Sequence, residues 1–122
     1  MQLDWSKGKL AEGLRHYNAN EFFAAHEAWE CVWLEATGRE KMFLQALIQV
    51  AAALHHQCRN NPKGTVLLFQ AALSRLDSCP AVFGGMSVAI LRDDIRNRLQ
   101  ASEAGYSAPG LLPPRMCPVN IR

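Results

Sequence analysis

The sequence has no excess of one charge and no block of like-charged residues. Its 122 residues include 13 basic and 11 acidic side chains, which leave a formal net charge of +2 at pH 7. Nucleic-acid-binding domains usually carry a basic patch or stripe, whereas the basic residues here are distributed along the chain. We therefore predict that nucleic acid is not a partner.

Long apolar runs are also absent. The main uncharged stretch, residues 42–57, is interrupted by Gln45 and Gln49 and is shorter than the roughly 20 residues that a membrane-spanning helix needs. Residues 1–5 show neither the basic start nor the apolar run and small-residue cleavage site of a secretion signal. The sequence predicts no membrane partner and a cytoplasmic location.

Several catalytic and metal-binding motifs are missing. Cys31, Cys58, Cys79 and Cys117 are far apart and form no C-x-x-C pair, which argues against a zinc ribbon and a thioredoxin-like site. No nucleophile motif, phosphate-binding glycine-rich loop or dinucleotide fingerprint occurs. The sequence names no reaction and leaves open whether the protein is an enzyme.

Helical periodicity is the feature that the sequence does contain. Apolar residues recur every three or four positions in five segments, and no segment shows the alternation of a strand. The segments begin near residues 5, 22, 38, 62 and 88, and the third is apolar over more than half of its circumference, as a central helix requires. We predict an all-α fold, a five-helix mostly antiparallel bundle formed by residues 1–104.

Short polar residues mark the expected helix starts. Asn20 is suited to cap the second helix, Asn61 followed by proline the fourth, and Ser87 the fifth. Thr37 and Glu40 have the spacing of a capping box, which would open the third helix after a very short turn. Two helices joined so tightly are expected to be antiparallel neighbours.

The last segment, residues 105–122, is predicted to be an extended proline-rich tail, because its four prolines exclude a continuing helix. It also carries many apolar residues, which favours docking either on its own bundle or on a neighbouring subunit. A homodimer is therefore one expected partner arrangement. The apolar residues of this tail are Leu111, Leu112, Met116, Val119 and Ile121.

The second predicted helix carries ionisable groups on an aromatic face. At about 100° per residue, His26 and Glu30 share one stripe with four aromatic rings, and burying such groups is costly unless they are satisfied. On the third helix, Gln45, Gln49 and His56 form a polar stripe, of which Gln45 and Gln49 would face His26 and Glu30 in an antiparallel pair. The four rings are Phe22, Phe23, Trp29 and Trp33.

This pattern closely resembles a known family. The order Phe-Phe-x-x-His-Glu-x-Trp-Glu-x-x-Trp over residues 22–33, followed by Leu-Gln-x-Leu-Ile-Gln-x-Ala-Ala-x-Leu-His over 44–55 and Asn-Pro-x-Gly over 61–64, is similar to domain-of-unknown-function family 309. The resemblance covers roughly residues 17–76. It implies a compact α-helical fold without a settled activity, and its motif positions are His26, Glu27, Glu30, Trp33, Gln45 and Gln49.

Two hypotheses about function follow. In the first, the helix pair forms a pocket for a small ligand or a divalent metal; the metal would be held by His26 and Glu30, with Glu27 or His56 assisting, or else Glu and His would act as an acid/base pair. In the second, the polar cluster is a structural network and the protein is an interaction module that pairs with itself or a partner. The candidate ligand-binding residues are His26, Glu27, Glu30, Trp33, Gln45, Gln49 and His56.

Overall fold

The computed structural model describes residues 3–103 and 112–119. In these residues the chain forms five helices and one short β-hairpin. The order is α1 (Gly8–Asn18), α2 (Phe22–Glu35), α3 (Gly38–Cys58), α4 (Pro62–Leu76), β1 (Val82–Phe83), β2 (Met86–Ser87) and α5 (Val88–Glu103). The predicted all-α fold class therefore holds broadly, with the hairpin as a departure.

Helix α3 is the central helix, as its apolar circumference predicted. It packs against α2 on one side and α4 on another, and nine of its 21 residues are buried. No helix in the described part of the chain is long and apolar enough to cross a membrane. The buried residues of α3 are Phe43, Leu44, Ala46, Leu47, Ile48, Val50, Ala51, Ala53 and Leu54.

The α1–α2 contact depends on a close approach at one glycine. The indole of Trp29 is fully buried, and its Nε1 donates a hydrogen bond to the carbonyl oxygen of Leu10 at 3.3 Å. A Cβ atom on Gly13 would lie 2.2 Å from that Nε1. Gly13 weakens α1 because glycine has a low helix propensity. Its lack of a side chain, however, leaves the space that Trp29 needs to enter the core.

Two of the predicted helix caps are confirmed. The side-chain oxygen of Asn61 accepts a hydrogen bond from the Gly64 N–H at 3.1 Å, and Pro62 occupies the first turn of α4. The Ser87 hydroxyl oxygen accepts from the Ile90 N–H at 3.4 Å at the start of α5. Short polar residues before a periodic segment were therefore reliable signals at these two helix starts.

The other two cap predictions, at Asn20 and at Thr37, are wrong. Asn20 has a left-handed backbone with φ 62°, so it closes the turn after α1, and Glu21 occupies the N-cap position of α2. Thr37 does stand at the N-cap of α3, but its side chain makes no capping hydrogen bond. The next residue, Gly38, has φ +61°, so α3 begins through a left-handed residue rather than through a capping box.

The segment between α4 and α5 contains the hairpin. Strands β1 and β2 are antiparallel, with Val82 opposite Ser87 and Phe83 opposite Met86. The two residues between them, Gly84 and Gly85, have φ 58° and 73°, and a type I′ hairpin turn requires positive φ at both central positions. Strands of two residues are too short to show alternation, which is why the pattern did not predict them.

Residues 112–119 of the C-terminal segment pack against the rest of the chain. The N–H of Ser87 donates to the Cys117 carbonyl, and the N–H of Val119 donates to the Gly85 carbonyl, both at 2.9 Å. Met116 is buried in the core. This segment therefore lies along β2. The apolar residues Leu111 and Ile121 and the 104/105 boundary lie outside the described residues.

Candidate functional site

Two ring contacts define how α2 and α3 are aligned. Near the end of α2, the Lys41 ammonium lies 4.3 Å from the ring centroid of Trp33. Near its start, the rings of Phe23 and His55 have centroids 5.4 Å apart. These two helices consequently run in opposite directions, and their register places His26 level with the helical turn that contains Gln49, and Glu30 level with the turn that contains Gln45.

His26 and Glu30 do approach each other, but not inside the core. His26 Nδ1 lies 3.5 Å from Glu30 Oε2, and the two side chains are 29% and 50% exposed, respectively. At that distance the contact is at most a weak hydrogen bond. The expectation of a buried imidazole and a buried carboxylate is therefore corrected, because Glu30 lies at the outer edge of the α2–α3 contact and remains half in solvent.

Two buried polar atoms lack a hydrogen-bonding partner. Within residues 3–103 and 112–119, the side-chain nitrogen and oxygen atoms that are buried without a hydrogen bond are His26 Nδ1 and Gln49 Oε1. One atom belongs to α2 and the other to α3. Because buried polar atoms are nearly always satisfied, such a pair requires an explanation.

The aromatic stripe of α2 is divided between the core and the surface. Phe22 and Trp29 are buried, whereas Phe23 is 53% exposed. The Phe23 and His26 rings are nearly parallel, with centroids 6.0 Å apart and 10° between their planes. The four aromatic rings do not form one buried face, because α2 packs against both α1 and α3 and Phe23 lies at the edge of the α3 contact, where its ring meets His55.

The two adjacent histidines of α3 point to different helices. The structure places His56 Nδ1 3.1 Å from the side-chain nitrogen of Asn61, at the start of α4. His55 instead contacts Phe23. Sequence reasoning favoured His56 for the polar stripe and passed over His55. The spacing of Lys41 and His55, about four helical turns apart, was the available signal that both face α2.

The remaining predicted residues have simpler surroundings. Trp33 is half-buried with its ring beneath the Lys41 ammonium. Gln45 is half-buried on the face of α3 that carries Gln49, and Glu27 is exposed. The structure thus brings His26 and Glu30 together on α2, leaves Glu27 exposed and turns His56 toward Asn61. We refer to His26 and Glu30 of α2, with Gln45 and Gln49 of α3, as the α2–α3 site.

Comparison with known proteins places the chain in a family. Residues 10–68 match the model described as "Domain of unknown function (DUF309)". The chain belongs to the DUF309 family. The matched range contains most of α1, all of α2 and α3 and the first half of α4, and so includes every residue of the α2–α3 site.

Two relatives extend the comparison beyond the family match. The DUF309 chain is 31% identical over 97 residues to an uncharacterised protein of Aquifex aeolicus (strain VF5), an alignment that covers 79% of this chain and 29% of that protein. It is also similar to the crystal structure of a conserved hypothetical protein from Thermus thermophilus. That match has a TM-score of 0.67 and 34% identity, and it covers 83% of this chain and all of the other.

The donor set of this DUF309 protein does not assemble a full metal centre. Among the residues described by the structure, no group of three or more His, Cys, Asp or Glu side chains could hold a metal ion. His26 and Glu30 supply two donors, whereas protein zinc sites normally use three or four protein ligands. Neither Glu27 nor His56 completes the set, since the one is exposed and the other contacts Asn61.

Proposed function

We propose that this DUF309 protein binds a small molecule at the α2–α3 site. The observation that carries the proposal is the pair of buried atoms without hydrogen-bonding partners, His26 Nδ1 and Gln49 Oε1. The half-exposed Glu30 carboxylate and the exposed Phe23 ring lie beside His26 and are accessible from solvent. Polar groups beside an exposed aromatic ring are typical of small-ligand sites.

The alternative of a purely structural network has less support at this position. Such a network would hydrogen-bond the imidazole to the carboxylate and to the glutamine amides, and each unmade bond of a buried group costs about 1–3 kcal/mol. Here His26 Nδ1 and Gln49 Oε1 make none. A ligand that supplies the missing partners would recover that cost upon binding.

A thermal unfolding screen tests this proposal. The full chain would be melted with sets of small amines, carboxylates, phosphates and divalent cations, and a compound that binds only the folded state raises the unfolding midpoint. We expect at least one compound to raise it for the wild type and not for Gln49→Met, whose side chain keeps its length but loses the amide. Gln70→Met, at an exposed position of α4, is the matched control.

Two results would contradict ligand binding at this site. One is that no compound in any class shifts the unfolding midpoint. The other is that Gln49→Met is stabilised as much as the wild type and Gln70→Met. A His26→Ala variant that unfolds would favour the structural network, whereas one that stays folded and loses the compound-dependent shift supports the site.

The finer predictions from the sequence belong to the same proposal. We take the protein to act in the cytoplasm, as a mostly antiparallel bundle of residues 1–104 followed by a proline-rich tail of residues 105–122. A divalent metal held by His26 and Glu30 would need further ligands from the bound molecule. If the protein is an enzyme, His26 and Glu30 would act as an acid/base pair on the bound molecule.

Self-association through the outer face of α2 is a second candidate function. Phe23 and Leu34 are 53% and 66% exposed, and they lie about three turns apart on the same face of the helix. Large exposed apolar side chains that share a face favour an interaction surface. Light scattering coupled to size exclusion would show a dimer that Leu34→Ser converts to monomer, and a monomeric wild type would contradict it.

A further inference from the structure

The C-terminal segment, residues 112–119, runs back along α5 toward the β-hairpin. The Arg98 guanidinium donates a hydrogen bond to the Leu112 carbonyl oxygen at 3.2 Å, and three residues further on the Arg115 N–H donates to the Asp94 carboxylate at 2.8 Å. The segment then reaches the hairpin, where it pairs with β2 through main-chain hydrogen bonds. The order of these contacts shows that the segment is antiparallel to α5.

The segment is bound as an added strand, with successive side chains on opposite sides. Pro114 and Met116 are buried, whereas the Arg115 side chain between them is 66% exposed. The Arg115 guanidinium lies 2.9 and 3.0 Å from the two carboxylate oxygens of Asp94. The final residues of the segment pair with β2 by an antiparallel bridge. Main-chain hydrogen bonds combined with burial of alternate side chains are the general way in which a sheet edge binds an extended peptide.

The residues that hold the segment are distant from it in the chain. The hydrogen bonds named above join residues 112–119 to residues at least 14 positions earlier. The donors are a phenol, a guanidinium and a main-chain N–H, and the acceptors are a carboxylate and a main-chain carbonyl. We call this set of residues the tail-binding surface; it consists of Tyr17, Gly85, Ser87, Asp94 and Arg98.

Residues 104–111 join α5 to the segment. They include two glycines, one serine and one proline, a composition typical of linkers between folded units. A linker of this length reaches at most about 30 Å when extended, which is comparable to the diameter of a small domain. The contacts described above involve no linker residue, so they are the same whether the segment belongs to that copy of the chain or to a neighbouring one.

We infer that the tail-binding surface is an interaction site whose partner is residues 112–119 of a second copy of this chain. Each copy carries one surface and one segment, so a reciprocal exchange is symmetric and closes at two copies. The dimer makes the same contacts as the monomer. Its population therefore depends on the protein concentration relative to the effective concentration of the segment in its own chain, which is millimolar for short flexible linkers. This inference is independent of ligand binding at the α2–α3 site and of the outer face of α2.

Reversing the charges of the Asp94–Arg115 contact tests this exchange at low concentration. In Asp94→Arg the surface repels its own Arg115, and in Arg115→Asp the segment is repelled by its own Asp94. Mixing the two full-length variants restores both contacts, but only between copies. A charge-assisted contact is worth about tenfold or more. Two restored contacts should therefore lower the dissociation constant of the dimer about 100-fold or more, from millimolar to micromolar.

The readout must separate the heterodimer from both homodimers. One variant would be labelled with ¹⁵N, and the two would be mixed at about 20 µM, far below the millimolar range. Native mass spectrometry then counts each species by its mass, and circular dichroism checks that both variants keep their helices. We expect a heterodimer in the mixture and monomers in each variant alone. The pair Asp94→Lys and Arg115→Glu repeats the test with different side chains, so that a folding defect of one substitution does not decide the result.

Two controls change charge without creating a contact between copies. Asp93→Arg alters the neighbouring, exposed carboxylate of α5, and its mixture with Arg115→Asp should stay monomeric. The double variant Asp94→Arg/Arg115→Asp restores the contact within one chain and should also be monomeric.

Three results would overturn the exchange. The first is that mixing Asp94→Arg with Arg115→Asp leaves only monomers. The second is that homodimers and heterodimers appear in statistical proportion, which places the contact elsewhere on the molecule. The third is an equal amount of heterodimer in the Asp93→Arg mixture, since a general attraction between opposite charges would then account for the association.

Discussion

The buried hydroxyl of Tyr17 donates a hydrogen bond to the carbonyl oxygen of Pro114, 2.6 Å away and 97 positions later in the chain. Pro114 is itself fully buried. A proline has no N–H, so its carbonyl is the backbone group that must be satisfied when it enters a core. This contact joins α1 to the C-terminal segment and makes that segment part of the folded unit.

The first prediction concerns the strength of this contact. Tyr17→Phe keeps the ring and leaves the Pro114 carbonyl buried without its donor, so we expect a loss of about 1–3 kcal/mol in the free energy of unfolding. Urea titration measures it. Leu112→Ala, at a residue that is 85% exposed in the same segment, is the control and should change stability little. Equal stability of Tyr17→Phe and wild type would contradict the contact.

The second prediction concerns alkaline pH. Burial raises the pKa of the Tyr17 phenol above its ordinary value of 10.0, so the unfolded chain releases this proton at a lower pH than the folded chain. The contribution of Tyr17 is therefore complete below about pH 10 and is lost as the pH rises further. Urea unfolding of the wild type between pH 8 and 11 should show the fall, and Tyr17→Phe should show a smaller one.

The third prediction concerns an ion pair in the same region. Asp94 accepts hydrogen bonds from the Arg115 backbone N–H and side-chain Nε, at 2.8 and 2.9 Å. Arg115 lowers the pKa of the Asp94 carboxyl, so the stabilisation is present above the unfolded pKa of about 3.9 and is lost as the pH falls through the folded value. Asp94→Asn should lower the urea midpoint at pH 7 and have little effect at pH 2.

A neighbouring residue provides the control for this pair. The Asp93 side chain is 74% exposed and lies 3.7 Å from Arg96, a geometry in which surface ion pairs contribute little. Asp93→Asn should therefore leave the midpoint nearly unchanged at both pH values. If Asp93→Asn and Asp94→Asn behave alike, the Arg115 contact is not a specific source of stability.

The fourth prediction concerns the close approach of α1 and α2. Gly13→Ala improves the intrinsic helix propensity of α1, but its Cβ would lie 2.2 Å from the buried Trp29 Nε1. Overpacking of this kind costs about 1–3 kcal/mol, which exceeds the gain in propensity of about 1 kcal/mol. The thermal midpoint should fall. Asn18→Ala, at an exposed position of α1, should not lower it, and a raised midpoint for Gly13→Ala would show that Trp29 can move.

The helices could be predicted because their signals are local. Asn61 and Ser87 cap the helices that follow them, as their position before a periodic segment indicated. Asn20 and Thr37 carried the same signal and failed, since a left-handed backbone at Asn20 and at Gly38 sets those helix starts. Side-chain preference and backbone conformation compete at a helix terminus, and residue type alone does not decide which prevails.

The candidate site was predictable only in part. The separation of His26 and Glu30 by one helical turn placed them together, and the structure brings their atoms to 3.5 Å. Whether each side chain is buried depended on the neighbouring helices. The exposure of Phe23, the contact of His55 with Phe23 and the turn of His56 toward Asn61 depend on how α2 and α4 pack on α3. A projection of one helix contains no such information.

By itself, the sequence determined that this protein is helical, that α3 is central and that one turn of α2 carries an imidazole and a carboxylate, because spacing along one helix is a local property. Only the tertiary structure decided that Gln49 Oε1 and His26 Nδ1 are buried without partners, that Tyr17 reaches Pro114, and that a hairpin precedes α5. Those relations join residues far apart in the chain, and they depend on which surfaces the whole molecule removes from water.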